Sequence, residues 1–158
     1  MALGKFSPTE KAESGLEFTL LNPATGVPLF DNGDGTSSRV FVTVHGSDSK
    51  VCKNILRRQS NHRIELASKA RGKRPKITAE MIEAEGLEIL VGCTKSWRTE
   101  TVGEDGLILR HHPGKIEINE GEWIEVTPEN VQAAFEVLPW MKEQVDDQIG
   151  DRTDFLQN

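Results

Sequence analysis

The amino-acid sequence predicts an α+β fold in which a small N-terminal β-hairpin packs on a mainly helical bundle of about four helices. The hairpin is indicated by two short segments before residue 46, one with alternating apolar and polar residues and one rich in β-branched residues. The helices are indicated by apolar residues spaced three and four apart, in segments that begin with helix-capping residues. The 158 residues are the usual size of one domain.

The N-terminal part is predicted to be a flexible arm followed by the hairpin. Residues 1–15 are polar and contain glycine and proline, which is typical of a flexible arm. Leu16–Leu21 and Arg39–His45 are the two predicted strands, and Asn22–Gly26 forms a turn. Asp31–Gly35 is a longer loop. Two strands alone are marginally stable, so they are expected to pack on the helices.

Two helices are predicted in the middle of the chain. Ser47–Ser49 supplies capping oxygens for a helix from Lys50 to about Arg71, a stretch without glycine or proline. Thr78 can cap a second helix, whose apolar residues follow three- and four-residue steps as far as Trp97. Residues 99–126 are interrupted by glycine and proline, so they form either short strands or an insertion with its own small hairpin.

The C-terminal third contains the clearest helix signals. Thr127 and Pro128 are typical of a helix start, and Pro139 ends that helix and can open the next one. Gly150 is a helix stop, and residues 151–156 can add one more turn. The residues expected to face the core are spaced as on two amphipathic helices: Val131, Ala134, Phe135 and Leu138, then Met141, Val145 and Ile149.

The charge of the chain is unevenly distributed. The net charge is −6, yet residues 50–76 hold ten lysines and arginines against one glutamate, a charge of +9 that leaves −15 for the remainder. Such a basic segment can bind nucleic acid or dock on an acidic partner. It can also be a solvated helix face that neutralises the rest of the same molecule.

The residues that could carry chemistry do not form a recognisable site. In a calcium loop an oxygen ligand occupies the first position, but the two registers that fit Asp31–Gly35 place Phe30 or Pro28 there. His111 and His112 are adjacent and would point to opposite faces of a strand. No serine, cysteine or lysine lies in a nucleophile motif. The sequence therefore predicts neither an enzyme, nor a metal site, nor a cofactor.

The remaining sequence features indicate a protein of a reducing compartment. Cys52 and Cys93 lie in apolar helical patterns and are expected to be small buried residues rather than disulfide partners or metal ligands. No apolar run approaches the roughly 20 residues that span a bilayer, and residues 1–15 do not resemble a signal peptide. A cytoplasmic location is therefore expected, without membrane association.

Four segments of the chain carry a family resemblance. They are FTLLNPATGVPL at Phe18–Leu29, VTVHGSDSKVCKN at Val42–Asn54, the helix predicted to end at Trp97, and VTPENVQAAFEVLPWMKEQVDDQIGDRTDFL at Val126–Leu156. Together they resemble the small tail assembly chaperones of long-tailed phages and prophages. The resemblance implies one chaperone-like domain over residues 16–156, in which residues 31–38 and 102–121 depart from the compact form and are interpreted as insertions.

The resemblance implies a binding function without catalysis. Such chaperones bind the tape-measure protein, keep it soluble and help recruit the major tail tube protein during tail morphogenesis in the cytoplasm of the bacterial host. Self-association is a further expectation. Two alternatives stay open: a structural tail component retained in the virion, and a nucleic-acid-binding accessory protein that uses the basic helix 50–76. No aromatic residue interrupts that basic segment, and nucleic acid is otherwise not expected as a partner.

A chaperone of this kind needs an apolar groove between helices, with charged rims. The large or charged side chains that could line it are Trp97, Phe135, Trp140, Met141, Arg152 and Phe155. Each of the apolar ones lies in a helical pattern, so the alternative is that they belong to the core. Arg152 could pair with an acidic residue of the C-terminal helices or with a partner.

Overall fold

The computed structural model describes residues 2–151, apart from the side chain of Lys5. The described chain is an α+β structure. None of its helices has the length and apolar character needed to cross a bilayer. The helices are α1 (Thr9–Ser14), α2 (Lys50–Lys69), α3 (Ala79–Cys93), α4 (Pro128–Val137) and α5 (Pro139–Gly150), and Leu3–Phe6 is a short 3-10 helix. The strands are β1 (Leu16–Thr19), β2 (Phe30–Asp31), β3 (Ser37–Val44), β4 (Thr94–Val102), β5 (Ile108–His112), β6 (Ile116–Asn119) and β7 (Glu122–Ile124).

The main sheet is antiparallel, with the strand order β1-β3-β4-β5, and β2 also pairs with β3. The predicted pairing of the first two strands is present, with Leu16 opposite Val44. The sheet is larger than the predicted hairpin, however, because β4 and β5 follow α2 and α3 in the chain and extend it. Strands and helices are therefore interleaved along the sequence, an arrangement different from a hairpin beside a helical bundle.

Trp97 lies on a strand, so its assignment to the second helix is wrong. The helix ends at Cys93, and Trp97 sits on β4 opposite Val42 of β3. Trp97 was predicted to be helical because it follows Cys93 by four residues, the spacing of one helix face. However, the β-branched residues of β4, such as Thr99 and Val102, favour an extended backbone. The Trp97 ring is buried, and its Nε1–H donates to the Ile124 carbonyl at 3.0 Å.

The prediction of two C-terminal helices that begin at Pro128 and Pro139 is confirmed. The Thr127 hydroxyl accepts a hydrogen bond from the Asn130 amide and caps α4, and Pro128 is its first residue. Pro139 opens α5, which runs to Gly150. The apolar residues of both helices that are buried in the core are Val131, Ala134, Phe135, Met141, Val145 and Ile149.

The core lies between one face of the sheet and the helices α3, α4 and α5. Val42 and Val44 from β3 are fully buried in it. The segment predicted to be a flexible arm contributes α1, whose Ala12 is buried in the same cluster. The Ala12 carbonyl also accepts a hydrogen bond from the Gly46 amide at 3.2 Å. These contacts tie the N-terminal segment to the entrance of α2.

Residues 99–126 contain short strands and also a small hairpin of their own, so each of the two proposed alternatives is met in part. β5 extends the main sheet from β4, whereas β6 and β7 pair only with each other among the described strands. The Thr99 hydroxyl donates to the Lys115 carbonyl at 2.9 Å, and Ile116 is buried. The β6–β7 hairpin is thereby attached to the core beside Trp97.

Candidate functional site

The helices α2 and α3 form a hairpin that extends away from the core. Every described residue from 56 to 89 is exposed or half-buried. Ion pairs join the two helices, with Arg58 Nη2 3.1 Å from Glu88 Oε1 and Arg63 Nη2 2.6 Å from Glu85 Oε2. The hydrogen bond from Arg63 lowers the pKa of the Glu85 carboxyl. Part of the basic segment is therefore neutralised within the molecule.

An apolar groove lies at the base of this hairpin, where α2 and α3 meet the start of α4. The groove encloses about 440 Å³. Arg58, Glu88 and Gln132 stand among its walls and provide a polar rim. Its apolar lining consists of Ile55, Ala84, Leu87, Val91, Gly92 and Pro128. We call this feature the α2–α3–α4 groove.

Gly92 allows α3 to approach α2 closely at the α2–α3–α4 groove. A Cβ atom placed on Gly92 would lie 2.4 Å from Ile55 Cδ1. Ile55 is the last buried residue of α2. The floor of the groove is therefore built from a helix contact that any larger side chain at residue 92 would disturb.

The groove residues of α3 were not among the predicted partner-binding residues. Ala84, Leu87 and Val91 follow three- and four-residue steps and form an apolar row on α3. The row predicted to extend as far as Trp97 is a different one, which begins with Ile82 and Gly86, and both of these are exposed. A helix that packs on one side only needs one row of apolar residues. The second apolar row on α3 is therefore the sequence signal that could have located the groove.

The predicted partner-binding residues are mainly core residues. Trp97, Phe135 and Met141 are buried in the core. Trp140 is half-buried, and its ring stacks on Phe30 with centroids 5.6 Å apart. None of these four residues lines the α2–α3–α4 groove. Arg152 and Phe155 lie outside the described residues.

A second, larger cleft of about 810 Å³ lies between the loop before β3, β5 and the β6–β7 hairpin. Its walls are mainly polar and include Asp34, Arg110 and Glu117. His112 stacks on Trp123 with ring centroids 4.2 Å apart. No group of three metal-ligating side chains comes together within residues 2–151. Because its walls are polar and carry both charge signs, this cleft is less suited to binding an apolar helix face than the α2–α3–α4 groove is.

Hydrogen bonds from the Thr36 hydroxyl and amide lower the pKa of Asp34, the acidic residue on the loop side of this cleft. The carboxylate is thereby held by its own loop. It closes a turn between β2 and β3, which agrees with the prediction that Asp31–Gly35 is a turn.

Cys52 and Cys93 are buried free cysteines, as predicted, but they are also neighbours. Their side chains form a hydrogen bond, which lowers the pKa of Cys52 and, together with burial, raises the pKa of Cys93. The pair joins the start of α2 to the end of α3 just below the groove.

Searches of family models, curated proteins and solved structures returned no match to the chain.

Proposed function

We propose that this protein is a phage tail assembly chaperone that binds the tape-measure protein and helps recruit the major tail tube protein. The observation that carries the proposal is the α2–α3–α4 groove, an apolar channel between helices with a charged rim. The resemblance of the other three sequence segments supports the same function and supplies the identity of the partner, whereas the segment around Trp97 does not form the helix on which its resemblance was based.

The chemistry of the groove suits one face of an amphipathic helix. Leu87 and Val91 are half-buried, so part of their apolar surface is available to a partner. Covering that surface is favourable by about 25 cal/mol for each Å² removed from water. A long helical protein exposes such faces until the tail tube covers them. A groove open to solvent can hold one face and release it later, as an assembly chaperone must.

The charged rim provides selectivity. Arg58 and Glu88 form an ion pair beside the apolar lining, and Gln132 stands on the α4 side. Polar groups at the edge of an interface mainly set register and partner choice, whereas the apolar centre provides the affinity. The rim thus favours a helix that has polar residues flanking its apolar face.

The experiment is co-expression with the tape-measure protein from the same genome, scored by tape-measure solubility and by co-elution on a sizing column. Ala84→Glu places a carboxylate in the groove at an exposed helix position. It should reduce co-elution at least about tenfold, because an unpaired charge against apolar surface costs more than 1.4 kcal/mol. Ala133→Glu is the matched control on an exposed position outside the groove lining.

The proposal is supported if the tape-measure protein stays soluble with the wild type and the Ala133→Glu variant but not with the Ala84→Glu variant. It fails if the tape-measure protein precipitates regardless of this chain. Equal co-elution of both variants would show that the groove is not the binding site. Finding the chain in finished particles would instead favour a retained tail component.

A further inference from the structure

The far end of the α2–α3 hairpin forms a surface distinct from the groove. We define the tip as residues 64–82, which include the end of α2, the turn and the start of α3. From Ile55, the last buried residue of α2, to Lys69 the helix rises about 21 Å at 1.5 Å per residue. The turn beyond Lys69 therefore stands more than two screening lengths from the last buried residue of α2 at physiological salt, where each screening length is about 8 Å.

Five cations are concentrated in the turn of the tip. Arg71 has a φ of 49° and Gly72 a φ of 82°, a tight turn that keeps the segment compact. In contrast to Arg58 and Arg63, no cation between residues 69 and 76 has an ion-pair partner within the described part of the chain. The exposed cations are Lys69, Arg71, Lys73, Arg74 and Lys76.

Exposed isoleucines accompany these cations. Ile64, Ile77 and Ile82 are 64%, 40% and 55% exposed. Exposed aliphatic side chains on a long helical projection contribute nothing to the core. Beside a concentration of unpaired positive charge they form a mixed surface that can use both apolar contact and charge attraction.

We propose that the tip docks an acidic amphipathic helix of a partner protein. The partner's carboxylates would face the cations of the turn, and its aliphatic side chains would contact the isoleucines. This surface and its partner do not depend on the use of the α2–α3–α4 groove.

The composition of the tip favours a protein over nucleic acid. No aromatic residue lies in residues 64–82 to stack on a base, and isoleucine gains nothing from a phosphate. Glu80 and Glu83 follow the turn at the start of α3 and would repel a phosphate backbone. An acidic helix can place its carboxylates on the cations and its apolar residues elsewhere, whereas the charge of a duplex is uniform.

The test measures fluorescence anisotropy of a labelled synthetic helix of about 20 residues, with leucines on one face and glutamates beside them. The tip variant is R71Q/K73Q/R74Q, and the control R110Q/K115Q/K142Q removes the same charge from the rest of the molecule. We expect the tip variant to bind about tenfold more weakly, because three exposed charge pairs with the peptide are lost. The control should stay within about twofold of the wild type.

A second peptide with glutamine in place of glutamate separates charge from apolar contact. The wild type should bind it at least about tenfold more weakly, and Ile77→Ser with Ile82→Ser should weaken binding of the acidic peptide. All substituted tip residues are exposed, so the variants should remain folded by circular dichroism.

Equal binding of both peptides, or equal binding by the tip variant and the wild type, would overturn the proposal. Tighter binding of a duplex DNA than of the acidic peptide at physiological salt would overturn it in favour of nucleic acid. Because the probe is synthetic, neither result depends on whether the tape-measure protein co-elutes.

Discussion

Replacing Gly92 with alanine tests the close approach of α3 to α2 beneath the groove. The new Cβ would lie 2.4 Å from Ile55 Cδ1, a distance that requires one of the two groups to move. Cδ1 is the end of a flexible side chain, so Ile55 should rotate rather than the helices separate. An off-rotamer side chain costs about 0.5–1.5 kcal/mol. Alanine within a helix is better than glycine by about 1 kcal/mol. The two effects should nearly cancel.

The double variant isolates the contact. Ile55→Val removes Cδ1 and should cost about 0.5–1.5 kcal/mol by itself. In that background Gly92→Ala meets no clash, so it should stabilise the protein by about 1 kcal/mol through helix propensity. The expected coupling free energy between the two substitutions is therefore about 1 kcal/mol.

Urea unfolding followed by tryptophan fluorescence measures all four proteins of this cycle, and midpoints are compared at a constant slope. Additive effects of the two substitutions would refute the proposed contact. If adding Gly92→Ala to Ile55→Val lowered the free energy of unfolding by more than about 2 kcal/mol, the proposed contact would also be refuted. The clash would then involve groups other than Ile55 Cδ1.

Three further predictions follow from single contacts. Thr127→Ala removes the cap of α4 and should lower the free energy of unfolding by about 1 kcal/mol in the same urea assay; an unchanged midpoint would show that the cap contributes nothing. Cys52 and Cys93 are 2% and 0% exposed, so both thiols should react with a disulfide reagent only as fast as the protein opens; rapid reaction at zero urea would contradict their burial. The Arg63 hydrogen bond lowers the pKa of Glu85, so by NMR this carboxyl should titrate at lower pH in the wild type than in Arg63→Gln. The stabilisation by that ion pair is therefore present at neutral pH and is lost as the pH falls through the lowered pKa.

The elements that sequence reasoning located correctly are those specified by local signals. Thr127, Pro128 and Pro139 determine where α4 and α5 begin because capping and proline geometry act within a few residues. The strand β4 depends instead on pairing with β3, and α2 and α3 separate the two strands in the chain. No short window around Trp97 contains that partner, so helical spacing outweighed the β-branched residues that follow.

The second apolar row on α3 could have indicated one wall of the groove, but the complete groove could not be predicted because its walls come from three helices. Ile55, Gly92 and Pro128 are distant in the chain and meet only after α2, α3 and α4 have packed. The same reason explains why Cys52 and Cys93 were expected to be buried but not to be neighbours. Burial follows from the apolar pattern of one helix, whereas contact depends on the packing of two.

The α2–α3 hairpin carries both proposed binding surfaces, the α2–α3–α4 groove at its base and the tip at its far end. Glu88 and Glu85 of α3 pair with Arg58 and Arg63 of α2. These two ion pairs hold the helices together, the first at the rim of the groove and the second nearer the tip. The cations between residues 69 and 76 have no such partner within residues 2–151, so the tip keeps its positive charge. From Arg58 at the groove to Lys69 at the tip the helix rises about 16 Å. A single helix of about eleven residues between its apolar and acidic parts could therefore reach both surfaces. Such a partner would gain affinity from the second contact without needing a strong first one. It could also dissociate stepwise, as the proposed chaperone function would require.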